Sequence, residues 1–351
     1  MIFGNKGRER FLDAVAGFEA AVRERDADRS QQYFQDMHRF FGDAADQEFL
    51  RAGPRLAGIL DEVPPGPRAT VAVIVGACVE RGADASACGP HVLAGLAETL
   101  DGAREACERW AATGGGELPD PEAAEPHPDL FDRVGEDAAV AWLTLHQWEM
   151  ASVAMLNHAA VRTALDAGTR ARLFRTLRSV EEDSGHDFKC LAYALLVLDD
   201  EPLIVLHRPT GTGYALRMTG IGDNFQLHTL LADVLIGGGH LPGRAPSAEE
   251  AAVCRDRPGQ VDTTGSFNLL TPSGAWVWNE GTPSDIPVVD GVRLLVLDPP
   301  PYERSWPAGR FFPHMTGDLV LERVLGEEEA GRLLAGCVSK DAEQGRVSKD
   351  V

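Results

Sequence analysis

Two His–carboxylate pairs are the first positions in this chain whose types and spacing fit chemistry. His146 and Glu149 stand three apart in an otherwise apolar segment, and Asp183 and His186 repeat that spacing in the opposite order. On a helix, residues three apart share a face, and imidazole with carboxylate on facing helices is how bundles hold metal ions. A di-metal centre also needs bridging glutamates from two further helices, which the pattern does not place. The reading adopted is a structural polar network with no metal and no cofactor. A helical metalloprotein using His146, Glu149, Asp183 and His186 is an alternative.

Three further constellations lie in the second half of the chain. Residues 219–224, Thr-Gly-Ile-Gly-Asp-Asn, precede a helical segment and end in Asp223 and Asn224. Strand, glycine-bearing turn and helix is a layout that aims backbone N–H groups at a ligand. The spacing matches no phosphate loop, and Asp223 with Gln226 reads as a helix cap. His228, one turn on, is the nearest base. In 276–285, Trp276 and Trp278 fall on one side, and Asn279, Glu280 and Asp285 gather at the end of the run. Glu280 and Asp285 form a candidate acid–base pair beside aromatic walls, with His228 as a third group. Residues 298–313 make a proline-stiffened loop carrying Tyr302, Arg304, Trp306 and Arg310, with two phenylalanines after them. Aromatic groups with arginine on a stiff loop are the composition of a binding surface, and the two guanidiniums are candidates to grip an anion.

The elements that must position these residues follow from periodicity. Apolar residues at spacings of three and four predict helices over 8–25, 31–41, 50–60, 69–81, 90–110, 136–165, 171–180 and 186–198. Helix pairs of similar length raise a helical-repeat stack as one arrangement, with no fixed period behind it. Residues 113–128 are glycine-, proline- and carboxylate-rich, a linker or surface loop. From 199 the pattern changes. A hairpin is predicted over 203–219, helices over 225–236 and 247–254, strands over 266–270, 275–279, 292–297 and 318–324, and a helix over 327–335. The fold class expected is α+β: an all-α helical bundle over 1–198, a smaller mixed domain with a mainly antiparallel sheet over 199–336, and a frayed tail over 337–351.

Composition narrows the function classes. The chain has 351 residues, with 33 Lys and Arg against 54 Asp and Glu, a formal net charge of −21. No basic patch stands out, which argues against nucleic acid. The first ten residues run into charge without an apolar core, and no apolar stretch is free of polar residues for a membrane span. The expectation is a cytoplasmic protein without membrane contact. The six cysteines form no CxxC pair and read as reduced thiols. The function expected is an interaction protein, binding a protein or peptide partner, a basic one given the acidic surface, through the helical domain and the aromatic loop. Its contact residues would be Asp223, Asn224, Trp276, Trp278, Asn279, Tyr302, Arg304, Trp306 and Arg310. The alternative is an enzyme acting on a small-molecule or peptide ligand with His228, Glu280 and Asp285 as its acid–base groups.

Overall fold

The computed structural model describes residues 9–338, apart from Ala124 and Pro126. The predicted tail from Ser339 onward lies outside the described residues. The chain divides into two compact units, Met1–Leu195 and Leu196–Val351.

The N-terminal unit is helical: α1 (Arg10–Glu24), α2 (Ala27–Phe41), α3 (Asp46–Ala57), α4 (Pro65–Glu80), α5 (Ala85–Ala112), α6 (Leu130–Val134), α7 (Glu136–Leu156), α8 (Ala159–Ala164), α9 (Ala167–Ser184) and α10 (Lys189–Leu196). The stripe on α1 is buried as its spacing predicts, with Phe11, Val15, Phe18 and Val22 inside. Both α4 and α5 pack on α7, and α7 is apolar nearly all round because it is covered on several sides. Small residues set these crossings. A Cβ on Gly95 would lie 2.1 Å from the Trp148 ring, and one on Gly76 would lie 3.3 Å from Ala151 Cα.

The single helix expected over 136–165 is corrected to two, α7 and α8, with the break at Asn157–His158. No proline or glycine marks it. Arg162, only 1% exposed, folds back to donate from Nη1 to the Leu156 carbonyl at 2.6 Å. A side chain thus satisfies a carbonyl that the helix leaves orphaned. The cysteines carry no disulfide, and burial pushes the Cys78 and Cys88 thiols up to about 12.

The C-terminal unit is α+β. Its strands are β1 (Glu201–His207), β2 (Thr212–Thr219), β3 (Val261–Thr264), β4 (Asn268–Leu270), β5 (Val288–Val289), β6 (Val292–Asp298), β7 (Ser305–Ala308) and β8 (Asp318–Val324). Its helices are α11 (Asn224–Ala232), α12 (Ala248–Arg255) and α13 (Glu327–Ala335). The main sheet runs β4-β6-β1-β2-β8, with β5 on β6. Pairing is antiparallel except between β1 and β6. One apolar cluster joins Leu203, Val205, Leu216 and Leu295 of the sheet to Leu227, Leu230 and Leu231 of α11. A second joins Leu206, Ala215 and Leu294 to Ala330 of α13.

Two local readings are corrected here. Residues 275–279 form no strand; a lone bridge joins Leu270 to Trp276. Residues 305–308, expected as loop, form β7, which pairs with β3 in register Asp262–Pro307. A two-stranded ribbon consists only of edge strands, where a proline is tolerated. Among the described residues, no helix is long and apolar enough to cross a membrane.

Candidate functional site

The start of α11 organises the aromatic segments. Asp223 caps it, its Oδ1 accepting the Gln226 N–H at 2.8 Å, as its residue type predicts. The next residue, Asn224, is fully buried and clamps the Trp278–Gly281 turn. Its Nδ2 donates to the Trp278 carbonyl at 2.9 Å, and its backbone N–H donates to the Gly281 carbonyl at 2.9 Å.

One turn on, His228 is 1% exposed. Its Nε2 accepts the backbone N–H groups of Ser266 and Phe267, both at 3.1 Å. Two donors on Nε2 place the ring proton on Nδ1. The ring stacks on Phe267 and packs 4.9 Å from Trp306, centroid to centroid. Burial, helped by the nearby Arg304 charge and opposed by the Asn279 contact, pushes its pKa down to about 3. The imidazole is therefore neutral near pH 7, and its lone pair is already used. It ties segments together and offers no base to a substrate. The other two acid–base candidates lie apart from it in environment. Asp285 is exposed and accepts the Thr282 N–H at 2.8 Å, closing a single 3₁₀ turn, and Glu280 is exposed.

The expected contact residues sort into three groups. Asn224 is a buried strut, and Asn279 is buried beside His228. Asp223, Trp306 and Arg310 line a cleft of about 240 Å³, in which Arg310 is occupied by the carbonyls of Met315 and Arg257, each at 3.1 Å. Trp276, Trp278, Tyr302 and Arg304 form a surface patch. The two indoles lie 5.0 Å apart. The Arg304 guanidinium sits 5.9 Å from the Trp276 ring and 5.8 Å from the Tyr302 ring, and reaches the Phe267 carbonyl at 3.4 Å. Trp278 is 59% exposed and Tyr302 57%. The patch rests on short tethers: Val277 N–H to the Leu269 carbonyl at 2.9 Å, and Gly265 N–H to the Arg304 carbonyl at 2.8 Å.

In the helical unit, His146, Glu149 and His186 do come together, joined by a residue that the spacing did not reveal. His146 Nδ1 lies 3.3 Å from Glu149 Oε2 and 3.4 Å from Glu122 Oε1, and His186 Nε2 lies 3.8 Å from the same Glu122 oxygen. These contacts run in a row, Glu149–His146–Glu122–His186. The other Glu149 oxygen accepts the Leu191 N–H at 3.3 Å. Asp183 is exposed and pairs with Ser179 at 3.5 Å. Among the described residues no group of three or more His, Cys, Asp or Glu is placed to hold a metal ion. Burial raises the Glu149 pKa against the opposing Leu191 bond and histidines, as expected of a carboxyl in an apolar setting. Glu122 sits in the 113–128 loop, where no periodicity points to a partner.

Compared with known protein families, with curated proteins and with solved structures, the chain matches none.

Proposed function

We propose that the chain is a binding protein whose C-terminal unit holds a basic peptide segment of a partner on the Trp276–Trp278–Tyr302 patch. The observation that carries this reading is the exposure of Trp278 and Tyr302 on segments that are themselves pinned. Large aromatic surface left in water costs stability unless something covers it, and Trp, Tyr and Arg dominate the energetics of interfaces. The pinning by Asn224 and by the β3–β7 ribbon lowers the ordering entropy that binding must otherwise overcome.

Charge selects the partner's sign. Residues 196–351 carry 13 Lys and Arg against 22 Asp and Glu, net −9. Exposed Glu280 and Glu303 adjoin the patch in sequence. An incoming Lys or Arg lies over an indole or phenol face at cation–π range, as Arg304 already does. The test is an array of immobilised peptides graded in charge and probed with the labelled protein. Basic peptides should bind, less so as salt rises. Equal binding of acidic and basic peptides would remove the reading.

A further inference from the structure

A groove of about 690 Å³ opens in the N-terminal unit between α1, α2 and the start of α4, inside the roughly 300–1,000 Å³ range of small-molecule clefts. Phe18 and Val22 of α1, Phe34 of α2, and Val63 and Pro64 ahead of α4 form its apolar walls. The groove exists because α2 buries only Met37 fully and leaves Phe34 half-covered.

Arg25 lines the same groove. It caps α1 in the left-handed conformation, φ 56° and ψ 33°, a position that glycine or asparagine usually fills because a side chain there is strained. Among the described residues, the two other non-glycine residues with positive φ are aspartates, Asp200 and Asp290, a type that tolerates the region. Arginine does not share that tolerance. Two neighbouring carboxylates are engaged elsewhere: Glu24 pairs with Arg29, and Asp26 accepts the Arg29 N–H at 3.0 Å; a third, Glu62, also lines the groove and lies 3.9 Å from the Arg23 guanidinium. Among the described residues the Arg25 guanidinium makes no ion pair or hydrogen bond. An acidic chain thus holds an unpaired cation, in a strained backbone position, at an apolar groove.

We infer that this groove binds a free anionic amphiphile, a small molecule with a carboxylate-like head and an apolar body. The head pairs with Arg25, with Ser30 at hand as a further donor. The body lies against Phe18, Val22 and Phe34. This site is separate from the peptide patch and does not depend on it.

The experiment is isothermal titration of the full chain with monomeric dodecanoate, dodecanol and dodecylammonium. Dodecanoate should bind at one site, about tenfold or more tighter than the other two. Arg25→Gly relieves the backbone strain, so it should melt no lower than the parent while losing about tenfold in dodecanoate affinity and nothing for dodecanol. A Cβ on Gly66, which also lines the groove, meets no atom within 4 Å. Gly66→Phe should therefore fold and block all binding. The inference is overturned if dodecanoate fails to bind, if the three probes bind alike, or if R25G binds dodecanoate unchanged. It is equally overturned if R25G abolishes sedimentation with anionic-lipid vesicles while free dodecanoate shows no binding.

Discussion

Replacing His228 with glutamine separates the ring's work as an acceptor from its ability to titrate. In the folded chain its pKa is about 3, against an ordinary value of 6.5. Between those values the unfolded chain takes up a proton that the folded chain refuses. The histidine's contribution is therefore full above about pH 6.5 and is lost as pH falls towards 3. At about 1.4 kcal/mol per pH unit, about 2 kcal/mol is gone by pH 5, and the whole window amounts to about 5 kcal/mol. Glutamine keeps an oxygen that can accept the Ser266 and Phe267 N–H groups and does not titrate. The assay is chemical denaturation at pH 7.5, 6 and 5, followed by the near-ultraviolet tryptophan signal, to which Trp306, packed against His228, contributes. Parent and variant should differ at pH 7.5 by the cost of the altered shape. That difference should shift by about 2 kcal/mol in the variant's favour by pH 5. His207, whose pKa burial also lowers, is present in both proteins and cancels. Parallel stability curves would refute the buried, neutral, doubly bonded imidazole.

Other perturbations probe the fold and its buried polar groups. Glu149→Gln should gain stability over the parent as pH rises from about 4.5 through the raised folded pKa, because the buried carboxylate is penalised only when ionised; thermal melts across pH 4–8 read this directly. Arg162→Ala should destabilise the helical unit by about 3 kcal/mol, leaving a void and an unpaired Leu156 carbonyl, visible as a lowered denaturation midpoint. Gly220→Ala should cost about 3 kcal/mol or more, since φ is +66° and a Cβ would meet the Thr316 carbonyl oxygen at 2.1 Å; a melt within about 1 °C of the parent would contradict it.

The parts legible in the sequence were those governed by local periodicity. Phe11, Val15, Phe18 and Val22 announce α1, and the run 318–324 is β8 residue for residue. What local pattern could not show was set by distant partners. The α7–α8 break depends on Arg162 finding the Leu156 carbonyl. The strand β7 depends on β3 accepting a proline-containing neighbour. The alternation at 275–279 resembled a strand, but the Trp278–Gly281 turn is held by Asn224 from another element. At the site, the i, i+2 spacing does bring the Trp276 and Trp278 rings together, and the aromatic–arginine composition of the 298–313 loop points to Tyr302 and Arg304. His228 was harder to read. Its neighbours Leu227, Leu230 and Leu231 are all buried, the one local sign that this histidine faces the interior. Glu122 and Arg25 carry no motif, and only the folded chain brings each to its surroundings.

The central claim is that Trp278 and Tyr302 form the face on which a basic peptide is held. Fluorescence anisotropy with the tightest basic peptide from the array tests it most directly, comparing the parent with Trp278→Ala and Tyr302→Ala. Both side chains are more than half exposed, so each variant should melt within about 1 °C of the parent. Each should weaken peptide binding by about 30-fold, the scale of an interface hot spot. Undiminished affinity in both variants, with the fold intact, would contradict the account.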